Sequence, residues 1–208
     1  MQYDLFSADV SHVPGPLPLK DADVSYDPAF LTSPQADYYL ACLLATLAWR
    51  QDHIKLYGKE VKIPRLQAWY GDADALYQYS GLSMSPNPWT EALTQLKVLC
   101  EKRCGQSFNS VLANCYRDGQ DSMGWHSDNE AELGAQPVIA SVSLGQARNF
   151  DFRHNTSGEK YRQVLGPGSL LLMAGDTQRH WQHSLAKTTQ SLQPRVNLTF
   201  RYVFPTKA

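Results

Sequence analysis

The chain has 208 residues, 43% of them hydrophobic and 11% aromatic, with a formal net charge of −1. That is enough for one domain with its own core and too apolar for wholesale disorder. The near-zero charge excludes a global basic field, so contact with nucleic acid would have to come from local patches.

Residues 1 to about 28 carry Pro14, Pro16 and Pro18 and little periodicity, and predict an extended surface arm. The start lacks the basic stretch and small-residue cleavage site of a secretory signal. The longest apolar run, within Tyr38 to Trp49, is too short to span a bilayer. The expectation is a soluble intracellular monomer with no membrane partner, cytoplasmic if bacterial and nuclear if eukaryotic. Cys42, Cys100, Cys104 and Cys115 lack a second Cys/His pair at zinc-like spacing and read as reduced core thiols.

Ser33 and Pro34 open the first helix as N-cap and first helical residue. It runs to about Arg50, with Leu40, Leu43, Leu44 and Leu47 as its buried stripe. Two short segments around Gly58-Lys59, from Ile54 to Arg65, read as a β-hairpin. Leu66 to Tyr70 and Leu76 to Tyr79 suit short strands around the turn at Gly71-Asp72. A second helix spans about Pro88 to Arg103 and ends at Gly105. From Phe108 onward strands prevail: Val111 to Tyr116, Val138 to Leu144, Asn149 to Arg153, Leu170 to Met173 and Arg195 to Tyr202. Gly166-Pro167-Gly168 is a prominent turn between them. Many short strands without intervening helices indicate an antiparallel sandwich or barrel, such as a double-stranded β-helix.

The chemistry concentrates in two places. In an extended segment, side chains at i and i+2 share a face, so His126 and Asp128 of His126-Ser127-Asp128 can converge on one point. With one more His they would make the two-His-one-carboxylate set that holds non-haem Fe(II) and leaves positions open. The candidates for that His are His154, His180 and His183, and spacing does not choose among them. In the last strand Val196, Leu198, Phe200 and Tyr202 share one face, and Arg195, Asn197, Thr199 and Arg201 the other. Such a row is either a solvated face or, turned inward, two buried arginines that call for anionic partners such as a dicarboxylate.

Taken together these segments resemble the AlkB family of Fe(II)- and 2-oxoglutarate-dependent dioxygenases, over about residues 54 to 203. The matching motifs include Pro64-Arg65-x-Gln67, Tyr70-Gly71-Asp72, Tyr77-x-Tyr79-Ser80-Gly81, Asn114-x-Tyr116, His126-x-Asp128-x-Glu130, His183-Ser184 and Arg195-x-Asn197-x-Thr199-x-Arg201. The nucleic-acid-repair branch is the most similar. The resemblance implies a mainly β member of the α+β class. One domain over residues 1–208 would hold N-terminal helices, a nucleotide-recognition lid at about 54–85 and a jelly-roll core at about 108–204. It implies Fe(II) as cofactor, with 2-oxoglutarate and O2 as cosubstrates. It assigns the metal to His126, Asp128 and His183, and 2-oxoglutarate to Asn114, Tyr116, Arg195, Asn197 and Arg201. Arg201 would take the distal carboxylate and Arg195 would lie near the metal end. Tyr57, Arg65, Tyr77, Tyr79, Ser80 and Glu130 would bind substrate, with Tyr57 as a finger at the hairpin tip and Glu130 reading a cationic methylated base. The implied activity is oxidative demethylation of 1-methyladenine and 3-methylcytosine in DNA, as alkylation-damage repair. RNA or a protein side chain is the alternative substrate, and a nucleic-acid-binding module with a structural metal is the non-enzymatic alternative.

Overall fold

Val196, Leu198 and Phe200 do alternate with Arg195, Asn197, Thr199 and Arg201, along a strand buried on both faces in the middle of a seven-stranded sheet. The structure, a computed structural model, describes residues 14–56, 59–75, 77–79 and 82–204. Its strands are β1 (Gly15–Pro16), β2 (Asp23–Asp27), β3 (His53–Leu56), β4 (Lys59–Lys62), β5 (Leu66–Gly71), β6 (Tyr77–Tyr79), β7 (Leu82–Met84), β8 (Ser110–Tyr116), β9 (Met123–His126), β10 (Ile139–Gly145), β11 (Arg148–His154), β12 (Lys160–Leu165), β13 (Ser169–Ala174), β14 (Trp181–Leu185) and β15 (Arg195–Arg201). The helices are α1 (Ser33–Thr46), α2 (Glu91–Cys104) and the single turn α3 (Thr177–His180).

The major sheet has the order β1-β2-β13-β10-β15-β8-β5 and the minor sheet β12-β11-β14-β9, with antiparallel pairing throughout. This is the expected double-stranded β-helix. Two hairpins, β3-β4 and β6-β7, stand apart from it.

One face of the major sheet is covered by α1 and α2. Leu43, Leu93 and Leu96 pack there with Ala113, Ala140, Val142, Val196, Leu198 and Phe200, all buried. Each large apolar side chain removed from water contributes about 1.5–3 kcal/mol. The other face turns toward the minor sheet, where Ile139, Leu171 and Met173 meet Phe152, Leu165 and Trp181. Beside that apolar cluster the inner face is polar. Asn197 sits opposite Asn114 on one side and Ser143 on the other, and Arg195 opposite Tyr116. Residues directly opposite in a sheet share a face, so the predicted dicarboxylate row is a single surface.

Several local expectations change. The N-cap of α1 is Thr32, not Ser33, in a full capping box with Gln35. The helix stops at Thr46 because Leu47 turns extended and the Trp49 indole comes back to donate to the Leu43 carbonyl (3.2 Å). Of the stripe, Leu43 and Leu47 are buried, while Leu40 and Leu44 are only half-buried. The N-cap of α2 is Thr90, and Gly105 closes it in the left-handed conformation (φ 66°). In the first hairpin Leu56 pairs with Lys59. Within the expected arm, the whole of β2 is zipped along Leu170 to Ala174 of β13, with Val24 buried.

Candidate active site

Asp128 lies just beyond β9, whose last residue is His126, and β14 places His183 directly opposite His126. The ligand atoms of His126, Asp128 and His183 lie within 4.8 Å of one another. His126 Nε2 is 3.9 Å from Asp128 Oδ1, and His183 Nε2 is 3.9 Å from Oδ2. These separations are too long for hydrogen bonds and leave a space ringed by donor atoms. His183 and Asp128 are buried, and His126 is half-buried. Phe150 stacks on the His183 ring (5.2 Å) and makes one wall.

Protonation fits a metal. His126 Nδ1 is 2.9 Å from the Gly124 carbonyl, which can only accept. The proton is therefore on Nδ1, and Nε2 offers its lone pair to the centre. Burial, then the neighbouring His126, lowers the His183 pKa from 6.5 to about 3, so this ring is neutral. For Asp128 burial pushes the pKa up, but Arg201 and then the two histidines outweigh it and hold it at about 2. Two imidazoles that each aim Nε2 at the carboxylate of Asp128 form, with it, the donor set of a facial triad.

The other two candidate histidines form a second cluster with Asp21. It fails the same test. His154 Nδ1 accepts N–H from Ser157 (3.1 Å) and Thr156 (3.3 Å), so Nε2 keeps the proton and cannot ligate; it lies 3.6 Å from Asp21 Oδ2, beyond hydrogen-bond reach.

The arginines are placed the other way round from expectation. Arg201 Nη2 donates to Asp128 Oδ1 at 2.6 Å, which puts Arg201 at the metal end. Arg195 lies at the opposite end of β15, 2% exposed, over the Tyr116 ring (5.3 Å) and donating to Ser143 Oγ (2.9 Å). Burial pulls its pKa from 12.5 to about 10, so it stays charged at neutral pH. Among the described residues no carboxylate pairs with it, and its buried Nε has no hydrogen-bond partner. A buried cation in that state calls for an anionic ligand. Between the two ends Asn197 donates to Ser141 Oγ (2.8 Å).

The expected substrate residues divide. Tyr57 and Ser80 lie outside the described residues. Tyr77 and Tyr79 are the ends of β6, paired with Met84 and Leu82. Arg65 is 3% exposed, and its Nε donates to Asn114 Oδ1 (2.9 Å), tying it to the row expected to hold 2-oxoglutarate. Glu130 follows the triad loop, and its buried Oε2 has no hydrogen-bond partner among the described residues. Sequence reasoning missed Gln178, which accepts the Asp128 amide N–H (2.9 Å) from α3. Gln178 stands in no local pattern that marks it. Arg148, which the sequence carries in the family-like segment Ser141-x-Ser143-x-Gly145-x-x-Arg148-x-Phe150, donates to the carbonyls of Asp118, Asp121 and Ala186.

Comparison with known proteins agrees with this geometry. A family model described as 2OG-Fe(II) oxygenase superfamily matches residues 23–201. Alpha-ketoglutarate-dependent dioxygenase alkB homolog 3 of Mus musculus is 43% identical over 188 residues, covering 86% of this chain and 65% of its own length. DNA oxidative demethylase ALKBH2 of Bos taurus is 45% identical over 161 residues, covering 74% and 58% respectively. This chain thus spans less than two thirds of either relative. The solved structure of OsALKBH1 superposes with a TM-score of 0.64 at 16% identity, covering 86% of this chain and 97% of that one, a likeness of fold.

Proposed function

We propose that this chain, which belongs to the 2OG-Fe(II) oxygenase superfamily and to its AlkB group, demethylates DNA bases carrying N-methyl groups, such as 1-methyladenine and 3-methylcytosine. The reaction consumes 2-oxoglutarate and O2 and yields succinate, CO2, formaldehyde and the repaired base. The relative that bears the name DNA oxidative demethylase supports this substrate. The observation that carries the reading is β15, which sets Arg201 against a ligand of the triad and leaves Arg195, at its other end, buried with no carboxylate partner among the described residues.

Fe(II) bound by His126, Asp128 and His183, with 2-oxoglutarate and O2, supplies the oxidising power that turns an N-methyl group into a hydroxymethyl group, lost as formaldehyde. The chain does the rest. Asp128, held ionised by Arg201, and His183, held neutral by burial, keep the donor set competent at neutral pH. Arg195 takes the distal carboxylate of 2-oxoglutarate, with Asn197, Asn114 and Tyr116 beside it on the same face. Arg65 fixes the Asn114 amide from behind. Phe150 covers His183 and excludes water. Glu130 offers an unsatisfied carboxylate oxygen to a cationic methylated base. Tyr77 and Tyr79 belong to the lid, and the base must leave the stack to reach the centre. The working unit is a monomer, which sedimentation of the purified chain tests.

The test is turnover of oligonucleotides carrying 1-methyladenine or 3-methylcytosine, as single strands and duplexes, beside methylated RNA and peptide. Formaldehyde and succinate should appear together on DNA, and His126→Ala should abolish both while leaving the fold intact. Turnover confined to RNA or peptide would overturn the substrate, and full activity in His126→Ala would overturn the metal assignment.

A further inference from the structure

Of the three triad residues, Asp128 alone lies outside a strand, in a segment with no regular backbone ladder. Something other than sheet pairing must therefore aim its carboxylate. Two hydrogen bonds do so, one to the turn that leads into the His183 strand and one to that strand's first residue. Gln178 Oε1 accepts the Asp128 backbone N–H at 2.9 Å, and Ser127 Oγ donates to the Trp181 carbonyl at 2.9 Å.

Gln178 is itself fixed. It is 3% exposed, and its Nε2 lies 3.5 Å from Met173 Sδ on β13. The turn that carries it is pinned by Thr177, whose Oγ1 accepts the Asp23 N–H (3.0 Å) and donates to the Ala174 carbonyl (2.6 Å). The chain from the sheet to the carboxylate is thus β13, α3, Gln178, Asp128. Arg201 grips the carboxylate from the other side, but a guanidinium at Oδ1 restrains the end of the side chain, not the peptide plane that sets where it starts.

We infer that Gln178 is a positioning residue for the metal. By accepting the Asp128 amide it fixes the backbone from which the carboxylate springs, and so holds the three ligands at one spacing before metal arrives. This rests on reading the triad as a metal site. Partners that orient ligands from outside the coordination sphere typically contribute about 10–100-fold in metal affinity.

The experiment titrates the full chain, stripped of metal, with Mn(II) and separately with Co(II), whose ligand-field absorption reports the geometry of its donors. Gln178→Met keeps the shape and removes the acceptor. It should weaken Mn(II) binding by at least 10-fold and shift the Co(II) spectrum. Met173→Leu disturbs the core side of the glutamine and should leave both readings near wild type. Gln178→Glu keeps an acceptor oxygen at the same reach and should recover most of the lost affinity. If Gln178→Met does not fold, Gln178→Asn replaces it, since its amide is too short to reach and the same loss is expected. Unchanged affinity and spectrum in Gln178→Met or Gln178→Asn would overturn the inference. Equal losses in Gln178→Glu or Met173→Leu would also overturn it, by making the effect one of packing. Failure of the wild-type chain to bind either ion would instead remove the triad reading beneath it.

Discussion

His126 and His154 are the same side chain with opposite chemistry, and the difference lies in what meets Nδ1. A carbonyl at Nδ1 frees Nε2 to ligate, whereas amide donors at Nδ1 keep the proton on Nε2. That logic also governs acid behaviour. The unfolded chain protonates His183 below about pH 6.5, and the folded one only near pH 3. The metal-free fold should therefore lose stability as pH falls through that window, and Asp128, held near 2, extends the loss lower. His183→Asn should shrink the difference in denaturant-measured stability between pH 7 and pH 5 by on the order of 1–2 kcal/mol. Arg195→Met should raise the KM for 2-oxoglutarate by roughly 10–100-fold, the worth of one or two hydrogen bonds to a charged group. A KM within twofold of wild type would place the dicarboxylate elsewhere. The triad and the row were legible from residue spacing and family resemblance. Which arginine faces the metal was not, because a strand pattern gives the two ends of a row but not what stands beside each.

At the scale of elements, β15 was the plainest strand in the sequence because one face is apolar and the other polar, a clean period of two. β2, β9, β12 and β14 went unseen because each is short and its pairing, not its pattern, defines it. The α1 cap was misplaced by one residue because Ser33 and Thr32 are comparably good caps by type, and only the geometry of the Thr32–Gln35 box separates them. The turn at Gly166-Pro167-Gly168 was legible and has a sharper role than a turn. Gly168 sits at φ 76°, where an added Cβ would stand 2.8 Å from the Leu31 carbonyl oxygen. Its own carbonyl accepts the Leu31 N–H (2.9 Å) and its N–H donates to Ser143 (2.8 Å). Gly168→Ala should cost about 1–2 kcal/mol or more in thermal unfolding from the left-handed backbone alone. A neutral result would show that residue 168 does not need the left-handed backbone.

For the whole molecule, the residues that would hold the metal stand on β9, just beyond it and on β14, in a fold whose two sheets pack through their own apolar core, unlike a small finger that folds around its ion. Chelation should leave strand content and cooperative unfolding intact. At a free metal concentration about 100 times its dissociation constant, loading should add roughly 2.7 kcal/mol, or about 5–10 °C in Tm for a chain of this size. Loss of cooperative folding on chelation would contradict that view. The fold class was readable because short strands without helices between them dominate the second half. The helical cover on one face of the major sheet was not readable as such, since periodicity shows that a helix buries a stripe but not against which sheet.

The strand order carries a consequence for how the polypeptide is made. β15, which follows both of its neighbours in chain order, is inserted between β10 and β8. Until the ribosome has released it, the nascent chain holds two open edges facing each other across the gap where β15 belongs, the kind of surface that recruits foreign strands. Arg195 and Arg201 arrive together on that same segment. Closure of the fold and completion of its chemistry are therefore one event, and a chain cut short before Arg195 has neither.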